Sequence, residues 1–180
     1  MTQITSEGNT PRNFSGLLVI LSGPSGVGKD SVFNRMKLLR KPYFFAITAT
    51  TRSPRPNERH EDDYIFLTSL EFDVMVDSGG FLEWAQVYGN RYGVPKTPID
   101  DALAKGQTVI IKTDVQGASA IRKLISQAIF IFLAPLSMNE LERRLRERLT
   151  ENEADVSLRL RTARAEMGHQ AMFDYTVINH

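Results

Sequence analysis

The residue types best suited to chemistry begin at Gly23-Pro24-Ser25-Gly26-Val27-Gly28-Lys29, a glycine-rich turn that ends in Gly-Lys. Gly23, Gly26 and Gly28 let the backbone wrap inward, so successive N–H groups can converge on one anion, as a phosphate cradle requires. Lys29 adds a mobile positive charge, and a helix starting there adds the positive end of its dipole. The bare spacing also fits a tight strand-to-helix turn without a ligand. Its context favours the cradle: residues 17–21 are an apolar run, and a helical pattern follows at once.

The usual phosphate-loop pattern continues with Ser or Thr, whose hydroxyl helps hold Mg²⁺. Here Asp30 takes that place and the hydroxyl comes one residue later, at Ser31. Successive helix residues point about 100° apart, so Ser31 cannot simply take over. Mg²⁺ favours carboxylates and water, so Asp30 could hold the ion directly or through water. It could equally be an N-terminal helix carboxylate favoured by the dipole. Both readings stand at this point.

Further along, Arg52 and Arg55 lie three apart with Pro54 stiffening the turn between them. Guanidinium forks suit bidentate recognition of phosphate. Tyr64 and Tyr92 could donate to the same phosphate. A solvated basic loop and ordinary aromatic packing explain these residues equally well when each is taken alone.

Positioning such groups requires an ordered scaffold, and apolar runs alternate with helix-period segments throughout. Residues 17–21, 44–48, 108–113, 129–134 and 175–178 read as buried strands. Residues 29–40 carry Val32, Phe33, Met36 and Leu39 on one helical face. Thr97 can cap a short helix with Pro98 in its first turn and Gly106 beyond its end. Residues 117–126 form another helix candidate, Ser137 with Glu140 is a capping-box pattern, and 154–168 repeats apolar residues in helical period. The alternation predicts an α/β fold with a parallel sheet flanked by helices. Two segments break it: loop-rich residues 49–94, with an extended piece at 64–67 and a capped helix from Thr68, and the Arg-rich stretch 139–155. Insertions at strand ends are where α/β proteins place ligands. They predict a core, an acceptor-binding arm and a lid.

The 180 residues suit one domain, with a polar, flexible N-terminal arm over 1–14. A net charge of +1 argues against broad nucleic-acid or membrane-surface binding. No run approaches the roughly eighteen apolar residues of a membrane span. The absence of cysteine excludes disulfides and thiolate chemistry, and with no secretory pattern it favours the cytoplasm.

Several motifs together resemble the guanylate kinase family, in its order and spacing over nearly the whole chain. They are the phosphate loop, Thr50-Thr51-Arg52-Ser53-Pro54-Arg55, Asp63-Tyr64, Phe81-Leu82-Glu83-Trp84-Ala85, Asn90-Arg91-Tyr92-Gly93 and Asp114-Val115-Gln116-Gly117. The resemblance implies a phosphate-loop (P-loop) NTPase-type kinase passing the γ-phosphoryl of ATP to GMP with Mg²⁺, and a guanylate kinase-like domain over 15–180. By residue, it implies GMP-phosphate contacts from Arg52, Arg55, Tyr64 and Tyr92, and guanine contacts from Thr48, Glu83 and Asp114. Lys29, Arg144, Arg148 and Arg159 match the cations brought onto the transferring phosphate, and Asn179 matches a position near adenine. Guanine's N1–H and N2–H₂ donors suit carboxylates, which adenine would leave unpaired. Arg143, Arg146, Arg161 and Arg164 read as solvated helix faces.

Three positions depart from the family pattern. Val94 stands where Ser or Thr is common near guanine O6, and Lys112 where many members carry an acid. The sequence stops at His180, where members usually continue into a helix, which implies a partly uncovered sheet. The competing class is a non-catalytic guanylate-kinase-like module that binds phosphoproteins, though such modules usually lack an intact phosphate loop. A kinase for another nucleoside monophosphate would be signalled by loss of Glu83 or Asp114, and both are present.

Overall fold

The computed structural model describes residues 15–39, 41–56, 58–87, 89–148 and 153–180. The expected arm over 1–14, Arg40 at the end of the first expected helix and 149–152 of the expected lid lie outside them. Branched and aromatic runs become strands: those over 18–22, 108–112 and 129–135 are largely buried on both faces, as the interior of a parallel sheet demands. The run at 175–178, expected to be buried, is instead mostly exposed, because its strand is the last in the sheet order. In chain order, β1 (Leu18–Ser22) feeds the glycine turn and α1 (Lys29–Leu38), followed by β2 (Tyr43–Phe45). A second group of strands comes next: β3 (Ala49–Thr50), β4 (Ile65–Phe66), then α2 (Ser69–Asp77), β5 (Phe81–Val87) and β6 (Asn90–Pro95). The chain returns through α3 (Lys96–Ala104), β7 (Thr108–Lys112), α4 (Val115–Leu124) and β8 (Ile129–Pro135). It finishes with α5 (Met138–Arg148), α6 (Glu153–Met167) and β9 (Tyr175–Asn179).

The central sheet has the order β2-β7-β1-β8-β9, and every pairing is parallel. β1 lies in the middle with Ile20 fully buried, so the glycine turn leaves from the best-supported strand. The smaller sheet, β4-β3-β6-β5, is built from the segment that broke the alternation. β5 and β6 form an antiparallel hairpin with an irregular register between Phe81 and Glu83. That bulge lets three successive residues, Phe81, Leu82 and Glu83, all be buried, where a regular strand would alternate.

The main apolar core holds Leu18, Ile20, Val109, Ile111, Ile121 and Phe130, and joins the smaller sheet through Leu82 and Val94. A second cluster places Leu141 and Leu145 of α5 with Val156, Leu160 and Ala163 of α6 against Leu21, Val27 and Leu133. The two late helices are therefore packed onto the glycine turn itself.

Several boundaries differ from expectation. β2 ends at Phe45, not at 48: Ala46 N still donates to Ile110 O (3.0 Å), after which the chain crosses to the smaller sheet. α3 starts at Lys96 behind Pro95, so Thr97 lies inside the helix and does not cap it. α4 begins at Val115, two residues early, because Asp114 Oδ1 accepts from Gly117 N (2.7 Å) and caps the helix. Thr68 forms a full capping box with Glu71.

Candidate active site

The residues expected to cradle the donor phosphates lie on the turn between β1 and α1. Gly28 has φ 98°, and a Cβ there would stand 2.6 Å from the Asn179 amide nitrogen, so glycine is required twice over. Lys29 Nζ donates to Gly23 O (2.6 Å) and Pro24 O (3.0 Å). Burial lowers the pKa of Lys29, while the Glu166, Asp30 and Asp114 carboxylates work in the opposite direction. Ser25 N donates to Glu166 Oε2 (3.0 Å), so a carboxylate from α6 already sits on one amide of the cradle. Arg144 reaches from α5 to Val27 O (3.3 Å) and is held by Glu140 (2.7 Å). Asn179, at the end of β9, donates to the same Val27 carbonyl (2.8 Å). Its described contact is thus with the phosphate loop. Ser31 is exposed. Arg159 is half-buried on α6, beside Leu160 of the loop-covering cluster. The side chain of Arg148 lies outside the described residues.

The residues expected at the acceptor phosphate lie on and beside the smaller sheet. Arg52 Nη2 donates to both oxygens of Glu58 (2.9 Å each), Nη1 donates to Ser53 O (2.6 Å), and the guanidinium lies 5.4 Å from the centroid of the Tyr64 ring. The Tyr64 and Tyr92 rings are 6.3 Å apart. Burial alone would lower the pKa of Arg52, but hydrogen bonds to Glu58 and Tyr92 outweigh it and raise it. Burial raises the pKa of Tyr64, which keeps its hydroxyl a donor. Arg55 is exposed and touches Glu58 at 3.5 Å. Three of the four expected phosphate ligands, Arg52, Tyr64 and Tyr92, therefore form one cluster, with Arg55 at its rim.

Glu83 is 4% exposed, deep beside that cluster's hairpin. Oε1 accepts from the Thr113 hydroxyl (3.1 Å), whereas Oε2 is buried without a hydrogen-bond partner. Burial, reinforced by the Asp114 charge, pushes its pKa up to about 8. A buried acceptor with no donor costs about 1–3 kcal/mol, which a ligand with N–H groups would relieve. Gly117 leaves room for it: a Cβ there would lie 2.6 Å from Glu83 Oε1. Thr48 Oγ1 donates weakly to Lys112 O (3.3 Å). Val94 is 1% exposed within the main apolar core.

Three features escaped the sequence reading: Glu58 on the Arg52 fork, Glu166 on the cradle, and Lys112 beside Asp30. Glu58 carried a local signal, since it follows Arg55 by three residues. The other two pairs are 141 and 82 residues apart.

A parallel sheet carrying a glycine-rich cradle with its lysine, facing a cluster of phosphate-type ligands, defines a P-loop phosphotransferase. A model of the guanylate kinase family matches residues 15–180. Guanylate kinases of Parasynechococcus marenigrum and Synechococcus elongatus are 42% and 43% identical to it over 164 residues, covering 91% of this chain and 90% of each relative. The crystal structure of guanylate kinase from Anaplasma phagocytophilum superposes with a TM-score of 0.76 at 30% identity, covering 93% of this chain and 79% of that one. The chain belongs to the guanylate kinase family, whose members are nucleoside monophosphate kinases. No helix among the described residues is long and apolar enough to cross a membrane.

Proposed function

We propose that this protein transfers the γ-phosphoryl group of ATP to the phosphate of GMP, giving ADP and GDP. The observation that carries the reading is Glu83: a buried carboxyl with an unpartnered oxygen, next to Asp114 and in the same small sheet as Tyr92, with Arg52 just after β3 and Tyr64 just before β4. Guanine fills that need through N1–H and N2–H₂, with Thr48 available to its O6. In this reading residues 49–94 are the acceptor-binding arm and 139–155 the lid.

An acceptor phosphate displaces Glu58 from the Arg52 fork, with Arg55, Tyr64 and Tyr92 completing its shell. ATP takes the cradle of Gly23–Lys29 and Asp30-Ser31, and its charge draws Lys29 away from the two carbonyls and displaces Glu166. An acceptor oxygen then attacks the γ-phosphorus, a new P–O bond forms, and the bond to the β,γ-bridging oxygen breaks to release ADP. Catalysis of this kind rests on positioning and positive charge. Lys29 and Arg144, with Arg148 and Arg159 assigned by resemblance, supply that charge. α5 and α6 pack against Val27 of the loop through Leu141, Leu145, Val156 and Leu160.

Mg²⁺ takes oxygen ligands and keeps several waters, binding one or two carboxylates plus substrate phosphates. Among the described residues no group of three His, Asp or Glu side chains could hold a metal alone. Asp30, in the first turn of α1 behind Lys29, is a carboxylate whose chemistry fits an ion carried in on ATP and held through water once its pairing with Lys112 is released. Bound there, Mg²⁺ would neutralise charge on the triphosphate. The cytoplasm, where ATP and GMP both occur, is the compartment this reading expects.

Equilibrium binding of GMP and AMP to the protein alone tests the reading. GMP should bind at least about a hundredfold more tightly. Equal affinities would remove Glu83 and Asp114 from base recognition.

A further inference from the structure

Lys112 is the last residue of β7, in register with Leu21 of β1, which leads into the phosphate loop. Its side chain is 10% exposed, and Nζ lies 2.5 Å from Asp30 Oδ1. The same ammonium is 4.7 Å from the centroid of the Tyr64 ring, against which Arg52 also lies. One cation thus touches both halves of the site: Asp30 next to Lys29 on the donor side, and Tyr64 on the acceptor side. Burial opposes its charge, but Tyr64 and Asp30 outweigh that and raise its pKa, so it is an ammonium at neutral pH.

We propose that Lys112 is a phosphate ligand of the acceptor nucleotide, docked on Asp30 until the nucleotide arrives. The proposal rests on the acceptor reading above. A phosphate held by Arg52 and Tyr64 brings a dianion to the tyrosine that Lys112 already faces. The four-carbon stem lets Nζ swing from one carboxylate oxygen to a phosphate oxygen without moving β7. The exchange keeps the ammonium paired throughout, which a nearly buried cation requires. Lys112 would then lie between acceptor phosphate and donor loop, where charge accumulates as the phosphoryl group passes.

Calorimetric binding of GMP and of guanosine, without ATP or metal, tests this in the wild type, K112M, D30N and D30N/K112M. Guanosine keeps the base and sugar but lacks the phosphate, so the ratio of the two dissociation constants isolates the phosphate contacts. The D30N background avoids leaving Asp30 unpaired. The ratio should fall roughly tenfold to a hundredfold from D30N to D30N/K112M, and also from wild type to K112M. An unchanged ratio in the double variant overturns the proposal, even if K112M alone loses affinity, because that loss would come from Asp30 repelling the phosphate. Should the wild type bind GMP no better than guanosine, the acceptor reading itself fails; a wild type that prefers GMP with an unaltered D30N/K112M ratio overturns the Lys112 role alone.

Discussion

Glu166 Oε2 accepts a 3.0 Å hydrogen bond from the backbone N–H of Ser25, so a carboxylate of α6 occupies part of the cradle built for phosphate. Burial raises the pKa of Glu166, while the Lys29 ammonium and the Ser25 N–H oppose the rise. In the proposed reaction ATP displaces this group and then tolerates its charge nearby. Glu166→Gln should therefore lower the ATP dissociation constant about three- to tenfold. Calorimetry with ATP decides it. Weaker binding in the variant would make Glu166 a support of the loop and not a competitor for it.

The two arginines of the proposed acceptor site are unequal. The Arg52 side chain is 15% exposed and grips both oxygens of Glu58, whereas the Arg55 side chain is 57% exposed and its guanidinium reaches Glu58 at 3.5 Å. Charge-assisted contacts are worth ~1.5–3 kcal/mol. Arg52→Ala should raise the KM for GMP roughly ten- to a hundredfold, and Arg55→Ala less, with the KM for ATP nearly unchanged in both. Steady-state kinetics with each substrate varied in turn checks the order.

Glu83 links stability to pH. Its pKa rises from the ordinary 4.5 to about 8 on folding, so the folded state holds its proton more tightly than the unfolded one. The associated stability is complete below about pH 4.5, declines as pH climbs towards 8, and is constant above. Glu83→Gln lacks this linkage. Its melting temperature relative to the wild type should rise steadily between pH 5 and 8, as scanning calorimetry would read. Guanine donors need the ionised carboxylate, so the affinity of the wild type for GMP should rise over the same interval, and the variant should lose GMP binding far more than AMP binding.

Local patterns were readable because they are local. The run from Leu17 to Lys29 specifies a strand, a turn and a helix start through apolar residues and glycines that are neighbours in sequence. The Thr68 capping box and Phe33 on the inner face of α1 follow from spacing alone. What could not be read was how residues distant in sequence pair at the site. Nothing in Asp30 announces Lys112, and nothing in Ser25 announces Glu166, because each partner arrives through strand order and helix packing. The same holds for Glu83: its sequence context shows an acid in an aromatic strand, but the bulge that buries it depends on how β5 meets β6. Asp114 was legible as a strand-end acid. Its cap on α4 also explains why that helix starts two residues early.

Asp30 offers a further test. If its carboxylate holds hydrated Mg²⁺ beside ATP, Asp30→Ala should raise the Mg²⁺ concentration for half-maximal rate several-fold, and Asp30→Ser should recover part of it. A dipole role alone would change stability by about 0.3–1 kcal/mol and leave the Mg²⁺ midpoint where it was. A Mg²⁺ titration read beside the melting curve separates the two.

The most direct test of the account is ADP release from ATP measured with GMP, AMP, UMP and dTMP in parallel, with the phosphorylated product identified in each case. Rapid turnover with GMP alone, yielding GDP, is the predicted result. Equal turnover with all four, or none with GMP while ATP still binds, would contradict it.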